Sequence, residues 1–180
     1  MSDEPLLETL RSAQRFGLFG DRLIEEAVEH ALGFVSAIGD LPPGSRICDL
    51  GSGGGLPGLV LAAAFSEATV LLVDRRQKRT DFLARAISRL GWEHVDVRCD
   101  DAETVAREVR SGVTEPFDVV TARGFGPPEY TLRTATALVA PRGRIVISEP
   151  PSGDRWPDDL LGELGLASRK IGNVRVFSTR

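Results

Sequence analysis

The run Ile47-Cys48-Asp49-Leu50-Gly51-Ser52-Gly53-Gly54-Gly55-Leu56-Pro57-Gly58 decides the reading of this chain. It is an apolar strand that ends in an acid and breaks into a glycine-rich turn before a helix. Glycine there lets the backbone take positive φ and lets a ligand lie directly against the main chain. The turn alone is a weak signal. Gly53 to Gly58 also satisfies the G-x-G-x-x-G spacing of dinucleotide-binding proteins, and a tight strand-to-helix turn with no ligand reads the same way.

The acids around the turn sharpen the choice. Asp49, just before the first glycine, would crowd the pyrophosphate of a dinucleotide but suits a cationic sulfonium cofactor. The next apolar run, Val70-Leu71-Leu72-Val73-Asp74, ends in an acid where a carboxylate can accept both ribose hydroxyls of an adenosyl group. That role fits NAD equally, so Asp74 indicates an adenosine-type ligand. After a third strand, Cys99-Asp100-Asp101-Ala102-Glu103 places acids at the strand's carboxyl end. One of them could accept the adenine amino group, cap the following helix, or do both. A fourth strand runs into Arg123, which would stand at the mouth of the site with a guanidinium suited to a carboxylate or phosphate.

The rest of the pattern alternates in the same rhythm. Residues 22 to 38 place Leu23, Ile24, Ala27, Val28, Ala31, Leu32, Val35 and Ile38 at steps of three and four, an amphipathic helix that Pro42-Pro43-Gly44 ends. Strands are predicted at Arg46 to Leu50, Thr69 to Asp74, His94 to Arg98, Phe117 to Thr121 and Arg144 to Ser148. Helices are predicted at Pro57 to Phe65, with proline in the first position, and at Arg76 to Leu90, Ala102 to Val109 and Pro128 to Val139. Ala167 to Ile171 and Val174 to Ser178 flank Gly172-Asn173, a hairpin connection. The expected fold is α/β and Rossmann-like: a mostly parallel sheet, helices on both faces and a C-terminal antiparallel hairpin. Residues 1–40 are expected to form an N-terminal helical segment packed on a core of residues 41–180, as one globular domain. Pro150 to Pro157 reads as a mobile loop beside the site.

Composition narrows the function classes. The chain has 180 residues and is 42% hydrophobic. It shows no membrane-length apolar stretch, and its N-terminus is acidic where a signal peptide is basic. A cytoplasmic protein is expected. Cys48 and Cys99, assigned to neighbouring interior strands, are expected to be buried thiols, and no metal motif is visible. With 22 basic and 26 acidic residues the net charge is -4, so an RNA partner would have to meet a local basic patch. Arg75, Arg76, Lys78, Arg79, Arg85 and Arg89 on one helix could be that patch, or a solvated face.

Taken together, these residues resemble the RsmG (GidB) family of class I methyltransferases, whose members methylate guanine N7 in 16S ribosomal RNA with S-adenosylmethionine. Asp49 to Gly58 is similar to the family's D-x-G-S-G-x-G-x-P-G loop. Leu72-Val73-Asp74, Lys78-Arg79, Phe82-Leu83, Ala102-Glu103 and Arg123 follow in the family's order. The resemblance spans about residues 22 to 147. It implies S-adenosylmethionine as cofactor, bound by Asp49, Gly51, Ser52, Gly53, Gly55, Leu56, Asp74, Asp101, Ala102, Glu103 and Arg123. It implies 16S rRNA or the small ribosomal subunit as partner, with His30, Arg79 and Arg123 as substrate contacts. Guanine N7 presents an sp² lone pair, so no general base is sought and no catalytic residue is assigned.

The departures fall where substrate should be touched. The family's tryptophan-asparagine and N-L-T segment has no counterpart before residue 22, and only His30 survives of its H-x-x-D-S. Asp101 replaces an arginine, Gly124 an alanine, and Ser148-Glu149-Pro150 a lysine-glycine. These leave open a methyltransferase acting on a small molecule or protein, or a non-catalytic module that binds S-adenosylmethionine or its homocysteine product. An NAD-dependent oxidoreductase is disfavoured by Asp49, by the helix before the first strand and by the lack of a second catalytic domain.

Overall fold

The computed structural model describes residues 4–20, 23–150 and 155–179. Two helices come first, α1 (Glu4–Arg15) and α2 (Ile24–Ile38). An alternation follows: β1 (Arg46–Leu50), α3 (Gly58–Ala64), β2 (Thr69–Asp74), α4 (Gln77–Leu90), β3 (Val95–Cys99), α5 (Ala102–Arg110), β4 (Phe117–Ala122), α6 (Pro128–Thr136) and β5 (Val139–Ser148). The chain closes with α7 (Asp158–Glu163), β6 (Leu166–Ile171) and β7 (Val174–Thr179). The strands form one sheet in the order β3-β2-β1-β4-β5-β7-β6. β1 to β5 pair in parallel, while β7 pairs antiparallel with both β5 and β6. The expected fold class is therefore what the chain adopts. Strand order reverses between β1 and β4, and in such sheets the crevice at the carboxyl ends of those strands is where ligands bind.

The central strands read as apolar runs because both of their faces are covered. Along β1, Ile47 joins a core with α1, α2, α3 and α4 that holds Leu10, Phe34, Ile38, Leu59 and Leu83. Cys48 and Leu50 point the other way, into a core with Val105, Leu132, Leu160 and Phe177. Each of these side chains contributes about 1.5–3 kcal/mol by leaving water. The first two helices thus share the core of the sheet. Val28 and Val35 pack at its margin, whereas Leu23 and Leu32 of the expected apolar stripe are exposed.

Several boundaries differ from expectation. α2 ends at Ile38 as expected, but the residue that stops it is Gly39, at φ 66°, and not the proline pair. Pro57 precedes α3, after a cis Leu56-Pro57 peptide bond, and Gly58 opens the helix. β5 begins at Val139, where helix was expected, because that residue pairs with Phe117 of β4. Cys48 is fully buried, and burial pushes its thiol pKa up. Cys99 corrects the expectation: it is exposed, because β3 is an edge strand, and β2 separates it from β1. The loop expected at Pro150 to Pro157 lies partly outside the described residues, at 151–154. Among the described residues no helix is long and apolar enough to cross a membrane, and no cluster of metal-ligating side chains is found.

Candidate functional site

The glycine turn is shaped by its neighbours on both sides. Gly51 N–H and Ser52 N–H donate to the Val73 carbonyl at 2.8 and 3.0 Å, which folds the chain back over β2. Gly51 sits at φ 67°, and a Cβ there would lie 2.9 Å from the Phe125 ring. A Cβ on Gly54 would come within 2.2 Å of Phe19, so the segment after α1 lies against the turn. Gly53 N–H donates to Asp74 Oδ2 at 3.0 Å. The other Asp74 oxygen accepts from Arg76 N–H at 2.9 Å, and Arg79 Nη1 reaches Oδ2 at 3.2 Å.

Asp49 is fully buried, and its carboxyl faces neither cleft described below. Thr121 donates its hydroxyl to Oδ1 at 2.7 Å, and a Cβ on Gly58 would lie 2.7 Å from Oδ2. Burial pushes the Asp49 pKa up to about 6, against the lowering effect of Thr121, Ser52, the Gly58 N–H and the charge on Arg123. The residue holds β1, β4 and the start of α3 together beneath the turn.

Above this floor is a cleft of about 400 Å³, within the range that buries a cofactor-sized molecule. Its walls include Gly51, Asp74, Arg79, Asp101, Ala102, Phe125 and Tyr130. Asp101 caps α5, accepting from Glu103 N–H at 3.1 Å, so the capping alternative is realised by a residue that also faces the cleft. Asp100, beside it, is tied to Arg98 at 2.8 Å. Phe125 and Tyr130 stack with ring centroids 5.6 Å apart. Burial, with Asp101 and Glu103 nearby, raises the Tyr130 pKa.

A second cleft, of about 630 Å³, opens beside the first, and Gly124 lines both. Its walls include His30, Arg123, Glu149, Arg155, Lys170 and Asn173. Glu149 is buried, takes the Trp156 indole N–H on Oε1, and lies 3.9 and 3.7 Å from Arg155 and Arg175. His30 is half-buried against Phe34, and its carbonyl accepts from the Asn173 amide at 2.9 Å.

The sequence-derived residues thus separate into three places. Gly51, Asp74, Arg79, Asp101 and Ala102 stand on the first cleft, and His30 and Arg123 on the second. Asp49, Ser52, Gly53, Gly55 and Leu56 are buried beneath the first, while Glu103 is exposed behind the α5 cap. Sequence reasoning missed the aromatic pair Phe125 and Tyr130. Their five-residue spacing belongs to no helix or strand period, and only the turn between β4 and α6 stacks them.

A profile of the family described as rRNA small subunit methyltransferase G, GidB, matches residues 6–149. The chain belongs to this family. Curated members include the ribosomal RNA small subunit methyltransferase G of Sorangium cellulosum, 36% identical over 136 residues, or 76% of this chain and 54% of that one. That of Salinispora arenicola is 40% identical over 134 residues, or 72% and 54%. The chain spans about half the length of these GidB relatives. Among solved structures, a SAM dependent methyltransferase from Aquifex aeolicus superposes with TM-score 0.62 at 14% identity, covering 93% of this chain and 96% of that one. An rRNA methylase from Streptococcus thermophilus gives TM-score 0.56 at 17%, with 90% and 99% covered. These two likenesses bear on the fold.

Proposed function

We propose that this chain is an S-adenosylmethionine-dependent methyltransferase acting in the cytoplasm on N7 of a guanine in small-subunit (16S) rRNA. The observation that carries this reading is Asp74 at the end of β2, on the wall of a cofactor-sized cleft between the Gly51 turn and the Asp101-Ala102 turn, in a chain of the GidB family.

The donor set fits the cofactor. A carboxylate at Asp74 suits paired ribose hydroxyls, Asp101 suits an exocyclic amine, and Phe125 and Tyr130 supply ring faces for adenine. No phosphate-binding helix start is needed, and the buried Asp49 beneath the turn disfavours a pyrophosphate. When bound, S-adenosylmethionine supplies a sulfonium methyl group open to a lone pair.

The chain's own contribution is then alignment. Gly124, shared by the two clefts, marks where acceptor and methyl donor would meet, and its lack of a side chain leaves that junction open. Arg123 stands on the acceptor side with a charge suited to a nucleotide phosphate. An unprotonated N7 needs no base, so orientation and exclusion of water account for the rate.

Calorimetric titration with S-adenosylhomocysteine tests the cofactor assignment, with micromolar binding expected in the wild type and loss in Asp74→Ala. Methyl transfer to intact small subunits and to naked 16S rRNA tests the acceptor. Binding without transfer to either RNA would overturn the rRNA assignment, and absence of binding would overturn the whole reading.

A further inference from the structure

We infer that α4 and the end of α1 form a track for single-stranded RNA, with Phe16 as a stacking platform for one base at its far end. This extends the proposed rRNA substrate to a second contact surface, one that starts at the wall of the cofactor cleft and runs along α4.

Ion pairing in this acidic chain is uneven. Arg11, Arg98 and Arg133 are each held by two carboxylates. Arg75, Arg76, Lys78, Arg85 and Arg89, by contrast, make no ion pair among the described residues. They are all exposed, and all lie on α4 or the two residues before it. At 100° per residue, positions 78, 85 and 89 fall within about 20° of one line along the helix. The one acid of α4, Asp81, accepts from the Gln77 amide at 2.7 Å. In a protein of net charge -4, cations gathered without partners on one helix face suit a polyanion.

The line has a direction. Arg75 and Arg76 stand on the wall of the cofactor cleft, and Arg85 and Arg89 line a groove between α1 and α4. Fourteen helical residues at 1.5 Å each span about 20 Å, close to six stacked nucleotides at about 3.4 Å.

The groove supplies what a base-free polyanion would not need. It measures about 160 Å³, too small for a cofactor, and is lined by Thr9, Ser12, Phe16, Phe82 and Ala86 besides the two arginines. Phe16 meets Phe82 edge to face at 6.1 Å, yet is 60% exposed. A flat ring open to solvent on a groove that two arginines also line is the arrangement that binds single strands by stacking and charge.

The test is fluorescence anisotropy of the full chain with a labelled 12-nucleotide RNA of mixed sequence, titrated at several salt concentrations. Arg85→Ala/Arg89→Ala should weaken binding and flatten the log K against log salt slope by about 1.4, two phosphates at about 0.7 each. Phe16→Ala should weaken binding about tenfold with the slope unchanged, because stacking releases no counterions. Phe16→Leu keeps the apolar contact with Phe82 but not the flat ring and should match Phe16→Ala, whereas Phe16→Trp should match the wild type. Wild-type affinity in Phe16→Leu, or an unchanged slope in the arginine variant, would overturn the track. So would heparin competing equally against wild type and Phe16→Ala, which would assign the cations to a polyanion without bases. RNA binding is read here without cofactor or turnover, so failure of the methyltransferase reading leaves this result standing, and the reverse.

Discussion

Replacing Asp49 by asparagine should stabilise this protein, and by an amount that depends on pH. Burial raises the Asp49 pKa from an ordinary 3.8 to about 6. Each pKa unit corresponds to about 1.4 kcal/mol, so about two units set a penalty near 3 kcal/mol on the charged form. The sign follows from proton uptake. Between about pH 4 and 6 the folded chain holds a proton on Asp49 that the unfolded chain has released, so stability falls as pH rises through that window. The penalty is complete above about pH 7 and absent below about pH 4.

Asparagine carries no charge, can accept from the Gly58 side with its oxygen, and can donate its amide to the Thr121 hydroxyl. Its gain should therefore approach 3 kcal/mol at pH 8 and shrink toward zero at pH 4. For a chain of this size the gain corresponds to about 6–12 °C in Tm. Urea unfolding of both proteins at pH 4, 5, 6, 7 and 8 measures it. A loss of stability at pH 8, or a gain independent of pH, would refute the account of Asp49 as a desolvated charge beneath the turn.

Three further outcomes can be checked beside it. Gly54→Ala drives a Cβ into Phe19 and should cost about 1–3 kcal/mol of stability by overpacking; adding Phe19→Ala should recover part of it in a double-mutant cycle read by thermal unfolding. Glu149→Ala removes the acceptor of the Trp156 indole and leaves Arg155 and Arg175 without that carboxylate, a loss of about 1–3 kcal/mol that urea titration followed by tryptophan fluorescence would report. Tyr130→Ala removes one ring of the stacked pair and should weaken S-adenosylhomocysteine about tenfold in calorimetry, with the thermal midpoint little changed because Tyr130 is exposed.

The periodicity of the chain determined the alternation of strands and helices, because β1 and β2 are buried on both faces and cannot carry polar residues except where a site needs them. Asp49 and Asp74 interrupt those runs near their carboxyl ends, and that interruption is what singles out this edge of the sheet in the sequence. The same logic failed at the sheet's margins. Cys99 reads as buried because its strand is apolar in places, but only the strand order shows β3 at the edge. Val139 continues a helical pattern, yet pairing with Phe117 draws it into β5.

Within the site, the sequence pattern put Asp74 at the end of β2 and Asp101 just beyond β3, and both line the first cleft. It could not place Asp49, which reads as a wall residue of the cofactor site but is fully buried under Gly58. The stacking of Phe125 on Tyr130, the meeting of the two clefts at Gly124, and the groove that joins Phe16 to Arg85 and Arg89 were decided only in three dimensions. Each arises from residues on different elements whose separation in sequence carries no period, so only the packing of the sheet and helices brings them together.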